Sequence, residues 1–250
     1  LSGPVYAISV ANTEAFLDLP AEGLIARPAS DYLAEIRAVA PDAHLFGYCK
    51  GGLLAYEIAR QAMENQTPLA SVTVASSYRI PYVIDDPLMI DMAIVWALGI
   101  DAPWPLDRLE LEEVYQQILH RNPASITPQC VARVAREQGK TAFASAYEEV
   151  QQRTPEQRLN ELTAAIVGNS GGQPALAEAE WQRMCAVFRH SIRGTCCYKP
   201  GFFAGEMTFA CQQGDTYLLP ALQRDMKSFW EGVCIDEVRY VDLQGGHFSC

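Results

Sequence analysis

The sequence lacks the marks of a membrane or secreted protein. No apolar run in its 250 residues approaches the length that crosses a bilayer. Residues 1–4 provide neither the basic start nor the long apolar stretch of a signal peptide. The net charge of -11 argues against the basic face that nucleic acids and anionic membranes require. We therefore expect a soluble, cytoplasmic protein that binds neither nucleic acid nor membrane.

Cysteine is plentiful, but its spacing does not suit a metal. The eight cysteines are spread over a chain large enough to fold without disulfides, so we expect reduced thiols. Only Cys196 and Cys197 lie close together, and no Cys-x-x-Cys or mixed His/Cys grouping has the spacing of a zinc site. The sequence therefore predicts no metal site.

The first part of the chain alternates strands with helices. Residues 4–9, 43–46 and 69–75 are short apolar runs typical of buried strands. A helix capped by Ser30 separates the first two runs, and a helix that reaches about Met63 separates the last two. This alternation predicts a mostly parallel sheet with helices on both faces. With 49% hydrophobic residues, the chain can bury a full α/β core.

The middle of the chain changes to consecutive helices. From residue 81 to about 170 the apolar spacing is helical, with proline and glycine breaks and no convincing strand. We interpret this stretch as a helical lid inserted into the α/β core. The predicted helices span residues 86–98, 109–119, 127–137, 142–152 and 155–167.

The α/β pattern resumes after the insertion. The apolar spacing predicts a helix near 177–191, a strand at 207–211, a helix near 219–230 and a last strand at 234–241. We therefore divide the chain into a first core segment at 1–80, a lid at 81–172 and a second core segment at 173–250.

A glycine-rich pentapeptide lies between a strand and a helix. The motif Gly47-Tyr48-Cys49-Lys50-Gly51 follows the apolar run at 44–46 and precedes a helical pattern. This placement indicates a nucleophile elbow, a sharp turn that holds its central residue in strained geometry and needs glycine on either side. The usual central residue is serine, and here it is Cys49. A tight turn with a buried, inert cysteine is the alternative interpretation.

The elbow predicts an activated thiol. The helix after Cys49 directs free N–H groups and the positive end of its dipole toward the sulfur, and Lys50 adds a charge if its side chain turns inward. Because these effects favour thiolate, we expect a lowered pKa of the Cys49 thiol. The backbone N–H of Lys50 is the expected oxyanion donor.

A base and a candidate acid follow the late strands. His247 lies after the last predicted strand, at the sheet edge that carries the elbow. Cys49 and His247 are therefore the predicted nucleophile and general base, in the chain order of α/β-hydrolases. Asp215 follows the strand at 207–211 and is the candidate acid, although a surface turn explains it equally well. A thiolate–imidazolium pair also forms without an acid.

Three residues near this edge are candidate substrate-binding residues. Tyr48 precedes the nucleophile, Ser76 follows the strand at 69–75, and Arg79 lies just beyond it. A guanidinium at the pocket edge can pair with an anionic substrate group. A solvated arginine at the lid junction is an equally good interpretation of Arg79.

These motifs resemble the thioesterase domains that release products from nonribosomal peptide and polyketide synthases. The similarity covers residues 4–8, 32–36, 44–59, 198–211 and 245–249, and the lid is not matched. The resemblance implies an α/β-hydrolase fold, mostly a parallel sheet flanked by helices, with a large inserted helical lid. It also implies that an upstream peptidyl or acyl carrier protein domain delivers the acyl chain on its phosphopantetheine, so that no further cofactor is needed.

Three departures from that family's pattern affect the expected site. Cys49 replaces serine, Ser76 stands where the family carries its acid, and the strand that precedes residues 4–8 in the family, with its oxyanion loop, has no counterpart in the sequence. The acid role therefore passes to Asp215 or to no residue, and the second oxyanion donor is unassigned. Cysteine-dependent members of the family are associated with closure of four-membered lactones or lactams, which implies cyclising release.

Two other functions agree with the same motifs. One is a hydrolytic or proofreading thioesterase on the same fold. The other is a catalytically inactive docking domain, for which the absent acid at Ser76 is the best argument. The sequence identifies neither the acyl chain nor the ring size, and it leaves the oligomeric state open.

Overall fold

The two ends of the chain build one parallel sheet. The structure is a computed structural model that describes residues 3–10, 12–97, 101–169, 178–214 and 222–247. Neighbouring strands pair in parallel throughout, which agrees with the predicted α/β class. In spatial order the strands are β1 (His44–Tyr48), β2 (Ser71–Ala75), β5 (Met207–Gln212) and β6 (Val238–Leu243).

Helices from both ends of the chain pack on this sheet. Trp230, fully buried on α10, lies 5.1 Å from the Tyr56 ring of α3 and 6.1 Å from the Phe209 ring of β5. Its indole N–H donates to the carbonyl of Ser77 at 2.8 Å, so this polar edge is satisfied inside the core. The helices that contact the sheet here are α3 (Lys50–Glu64) and α10 (Leu222–Val233). Helix α2 (Ala26–Val39) packs on α3, helix α1 (Thr13–Leu17) packs on α9 (Glu178–Cys197), and a 3-10 turn spans Ala21–Gly23.

The segment between β2 and β5 is largely helical, with a hydrophobic core of its own. Each of its first five helices begins within one residue of the predicted position. A short parallel pair, β3 (Val83–Ile84) with β4 (Ser125–Ile126), corrects the expectation of no strand here. Two residues are too few to produce a visible alternation. The helices are α4 (Pro87–Ala97), α5 (Arg108–Arg121), α6 (Pro128–Glu137), α7 (Thr141–Gln151) and α8 (Pro155–Asn169). The lid boundaries at 81 and 172 stay predictions.

A buried ionic cluster ties this helical segment to α9. Asp91 of α4 is fully buried and accepts from Arg158 Nε of α8 at 2.8 Å and from Arg189 Nε of α9 at 2.9 Å. Because a buried carboxylate is costly without partners, this arrangement fixes the three helices relative to one another.

The predicted strand at residues 4–9 is wrong. These residues belong to no strand, and Val5 and Tyr6 are 76% and 62% exposed. A strand needs a hydrogen-bonding neighbour as well as suitable side chains, and among the described residues the outer edge of β1 pairs with no strand. The last strand also begins later than predicted, at Val238, and α9 runs on to Cys197.

Candidate active site

The elbow has strained backbone geometry. Cys49 joins the end of β1 to the start of α3 with φ 54° and ψ -126°, in the region where side chains other than glycine are strained. A Cβ at Gly47 would lie 2.1 Å from the carbonyl oxygen of Gly51, and one at Gly52 would lie 2.4 Å from Ser77 Cβ. A Cβ at Gly51 would meet nothing within 4 Å. The turn therefore requires Gly47 and Gly52, and the predicted requirement at Gly51 is wrong.

The Cys49 thiol is accessible but not preformed as a thiolate. The residue is exposed to solvent, although protein surrounds the sulfur closely enough for desolvation to dominate. Burial raises the pKa of the thiol, while the backbone N–H of Lys50 and the Lys50 charge lower it, with a net rise. The predicted lowering of the pKa is therefore wrong. The ground state of the free site is the neutral thiol, which needs a base when it reacts.

Lys50 uses its main chain and its side chain for different contacts. Its backbone N–H hydrogen-bonds the Cys49 sulfur. This N–H is therefore next to the nucleophile, where an oxyanion donor is expected. Its ammonium lies 4.2 Å from the centre of the Phe16 ring and donates to Ser191 Oγ of α9 at 3.1 Å. Burial lowers the pKa of this amine to about 8, and Cys49 acts in the opposite direction.

His247 lies at the carboxyl edge of the sheet, as the elbow does. It follows β6, is 3% exposed, and its ring lies 5.4 Å from the Tyr48 ring and 6.1 Å from the Tyr78 ring. Burial lowers the pKa of His247 to about 4, so the imidazole is neutral at neutral pH. Burial also raises the pKa of Tyr78, and the proximity of Cys49 raises it further. Tyr78 is thus a neighbour of both Cys49 and His247.

The predicted acid is not among the residues that the structure describes. Asp215 lies outside the described ranges, so its role stays a prediction. Ser76, fully buried with φ 46°, donates its backbone N–H to the Ala210 carbonyl at 2.9 Å. Within the described ranges, the Oε1 atom of Gln212 lies 3.4 Å from the His247 Nδ1 atom. Sequence reasoning missed Gln212, and the one available signal was its place at the end of a predicted strand.

The predicted substrate-binding residues divide into two locations. Tyr48 is 38% exposed and lies beside His247, within the candidate site. Arg79 is half-buried, with no hydrogen-bond partner for its Nε among the described residues. Burial raises the pKa of the Cys196 thiol on α9 to about 11, and the Arg79 charge opposes that rise. Arg79 therefore lies near Cys196, and substrate binding by Tyr48, Ser76 and Arg79 stays a prediction.

The described residues form neither a metal-ligand cluster nor a membrane-spanning helix. Within them, no group of three or more His, Cys, Asp or Glu side chains is arranged to hold a metal ion. No helix in the same part of the chain combines the length and the apolar character of a bilayer span.

Comparisons with known proteins confirm the resemblance seen in the sequence. Residues 2–84 match the thioesterase domain family. The chain is 24% identical over 251 residues to the pyochelin synthetase PchF of Pseudomonas aeruginosa strain PAO1, and 23% identical to that of strain UCBPP-PA14. Both alignments cover 99% of this chain and 13% of the relative, so the chain spans a small part of these curated relatives.

Solved structures support the fold assignment. A four-domain nonribosomal peptide synthetase, AB3403 in its holo form with AMP and glycine, aligns with a TM-score of 0.51 and 18% identity, over 90% of this chain and 14% of that one. At this identity the likeness concerns the fold alone. Together with the parallel sheet, the elbow and the flanking helices, this likeness identifies an α/β-hydrolase fold.

Proposed function

We propose that this relative of the thioesterase domains of nonribosomal peptide and polyketide synthases takes an acyl or peptidyl chain from a carrier-protein phosphopantetheine thioester onto Cys49 and releases it by intramolecular cyclisation. The observation that carries the proposal is the placement of Cys49. Its accessible thiol stands on a strained elbow, at the sheet edge where a buried neutral imidazole also lies. Strain held at such a turn is typical of functional sites.

The first step is a thioester exchange. Cys49 Sγ attacks the acyl carbonyl of the carrier-bound substrate while His247 accepts the thiol proton. The oxyanion that forms accepts a hydrogen bond from the backbone N–H of Lys50. The carbon–sulfur bond to pantetheine then breaks, and the pantetheine thiol leaves with the proton that His247 held. One thioester is lost and one is formed, so the step is nearly isoenergetic.

The second step uses the activation that the Cys49 thioester keeps. A hydroxyl or amine of the acyl chain attacks the carbonyl and gives its proton to His247, the carbon–sulfur bond to Cys49 breaks, and His247 returns the proton to the sulfur. An oxoester on serine would be more stable and would supply less driving force to a strained ring. The helical segment between β2 and β5 has its own apolar core and serves here as a lid that keeps water from the intermediate.

The proposed partner is an upstream peptidyl or acyl carrier protein domain. The curated relatives are synthetases, and this chain aligns with 13% of their length. That relation supports a carrier protein domain on the same polypeptide or on a companion polypeptide. In this proposal the carrier's phosphopantetheine brings the substrate, and the chain itself needs no bound cofactor or metal.

Intact-protein mass spectrometry after loading tests the proposal. The chain is incubated with a carrier protein bearing β-hydroxyacyl or β-aminoacyl phosphopantetheine, and the adduct and released product are weighed. We expect an acyl adduct on Cys49, absent in Cys49→Ala, and a product that has lost the elements of water relative to the free acid. The matched control is Cys130→Ala, because Cys130 is a half-buried thiol on α6 away from the elbow.

Each other outcome contradicts a defined part of the proposal. Release of the free acid alone from every substrate contradicts cyclisation and supports a hydrolytic or proofreading thioesterase. Failure to form any adduct, with the carrier bound, contradicts catalysis and supports an inactive docking domain. An adduct that persists in Cys49→Ala contradicts the choice of nucleophile.

A further inference from the structure

The loop that carries His247 is held against the end of β5. Beyond the regular ladder, the backbone N–H of Gln213 donates to the Leu243 carbonyl at 2.9 Å, and that of Gly214 donates to the Gly245 carbonyl at 2.8 Å. A Cβ at Gly214 would lie 2.8 Å from the Gly246 nitrogen, so the two loops are in close contact. This contact fixes the His247 loop relative to the last residue of β5.

That last residue is Gln212, and it is completely buried. Its Oε1 lies 3.4 Å from His247 Nδ1, which is the distance of a long hydrogen bond. A carboxamide oxygen accepts and does not donate, so the nitrogen opposite it has to carry the proton. The contact therefore favours the imidazole tautomer with hydrogen on Nδ1.

We propose that Gln212 is the positioning residue of His247: its side-chain oxygen accepts a hydrogen bond from Nδ1–H, so that Nε2 is the ring nitrogen that takes the proton of the Cys49 thiol. The inference rests on the proposed acyl transfer and names the group that replaces the acid missing at Ser76. Gln212 acts through His247 and does not touch the substrate. In this arrangement a neutral amide supplies orientation without supplying charge.

The surroundings of His247 agree with a neutral partner. The titratable groups that face its ring in the described residues are the phenols of Tyr48 and Tyr78, and burial raises the pKa of Tyr78 further above neutral pH. Burial is the cause that lowers the pKa of His247 to about 4. A carboxylate partner would stabilise the imidazolium and raise the pKa. A thiol nucleophile is more acidic than a serine hydroxyl, so an oriented but weakly basic imidazole suffices for it.

The test compares three variants of the full chain by nitrogen NMR and kinetics. Gln212→Glu introduces a charge, Gln212→Ala removes the acceptor, and Gln213→Ala is the control, because Gln213 is exposed and contacts Asp242. The His247 ring signals are identified by their loss in His247→Gln. Their shifts report the tautomer and, on titration, the pKa.

The expected results separate positioning from mere stability. Gln212→Ala should give a mixture of tautomers and lower kcat on the order of 100-fold with little change in KM. Gln212→Glu should raise the pKa of His247 by roughly one unit or more and move the acid limb of the pH–rate profile by the same amount. Gln213→Ala should leave the tautomer, the pKa and the rate unchanged.

Two results would overturn the assignment. One is an unchanged tautomer and pKa in both Gln212 variants. The other is a fall of the His247 pKa in Asp215→Asn, which would identify Asp215 as the partner. The NMR readout does not depend on turnover, so a chain that never acylates Cys49 yet responds at His247 would contradict the proposed function and leave the Gln212 contact standing.

Discussion

Replacement of Gly47 by alanine tests the elbow most directly. A Cβ there would lie 2.1 Å from the Gly51 oxygen, 2.5 Å from its carbonyl carbon and 2.7 Å from Gly52 Cα. All three atoms belong to the main chain of the first turn of α3, so no side chain can rotate away. Relief requires β1 and α3 to separate by about 1 Å at the site of the nucleophile.

The magnitude follows from the cost of overpacking. Forced insertion of a methyl group into a packed interior costs about 1–3 kcal/mol, and a clash with main chain belongs at the upper end. For a chain of this size each kcal/mol lowers Tm by roughly 2–4 °C, so Gly47→Ala should lower Tm by roughly 6–12 °C. The displaced thiol should also react more slowly with an acyl thioester.

Gly51→Ala is the matched control, because its Cβ meets nothing within 4 Å and the residue lies inside α3. Alanine there should leave the free energy of unfolding unchanged or raise it by up to about 1 kcal/mol. Scanning calorimetry gives Tm, and intact-mass kinetics give the acylation rate. Equal Tm values for the two variants, or a larger loss in Gly51→Ala, would refute the account of the turn.

Three further predictions concern charge. Because the pKa of the buried His247 is about 4, neutral His247 contributes stability above pH 6.5 that is lost as pH falls toward 4. In urea unfolding the free energy of unfolding of the wild type should fall by about 3 kcal/mol over this range, and this loss should be absent in His247→Gln. An equal dependence of unfolding free energy on pH in the two proteins would contradict the prediction. Asp91→Ala should lower the free energy of unfolding by about 3–5 kcal/mol, because it leaves a buried guanidinium charge without its partner. Glu148→Ala, at an exposed ion pair, should lower it by less than about 1 kcal/mol. Similar losses in the two variants would refute the role of the Asp91 cluster. Because the Lys50 charge lowers the pKa of the Cys49 thiol, Lys50→Met should raise the pH midpoint at which iodoacetamide alkylates Cys49. Lys50→Arg keeps the charge and should largely preserve that midpoint. An unchanged midpoint in Lys50→Met would exclude an electrostatic effect of Lys50 on the thiol.

Local signals in the sequence located the elbow and most helices. The glycines around Cys49 and the 3.6-residue spacing of the inserted helices are properties of neighbouring residues, and the structure places those elements close to the predicted bounds. The prediction of a strand at residues 4–9 failed because a strand forms only against a partner strand elsewhere in the chain, and the side-chain pattern alone does not supply one.

The electrostatics of the site depend on packing, which sequence does not reveal. The backbone N–H and the charge of Lys50 both lower the pKa of the Cys49 thiol as predicted, yet desolvation by the surrounding atoms outweighs them. Gln212 was missed for a similar reason. A glutamine at the end of a strand acquires meaning only when the His247 loop packs against it.

The division of labour at Lys50 has an evolutionary consequence. The group offered to the sulfur is an amide of the peptide backbone, which nineteen of the twenty amino acids retain and proline alone removes. Donation of this hydrogen bond therefore places no constraint on which side chain, other than proline, occupies position 50. In this chain the Lys50 side chain contacts Phe16 of α1 and Ser191 of α9, so the elbow is coupled to one helix that precedes it and to another far away in sequence.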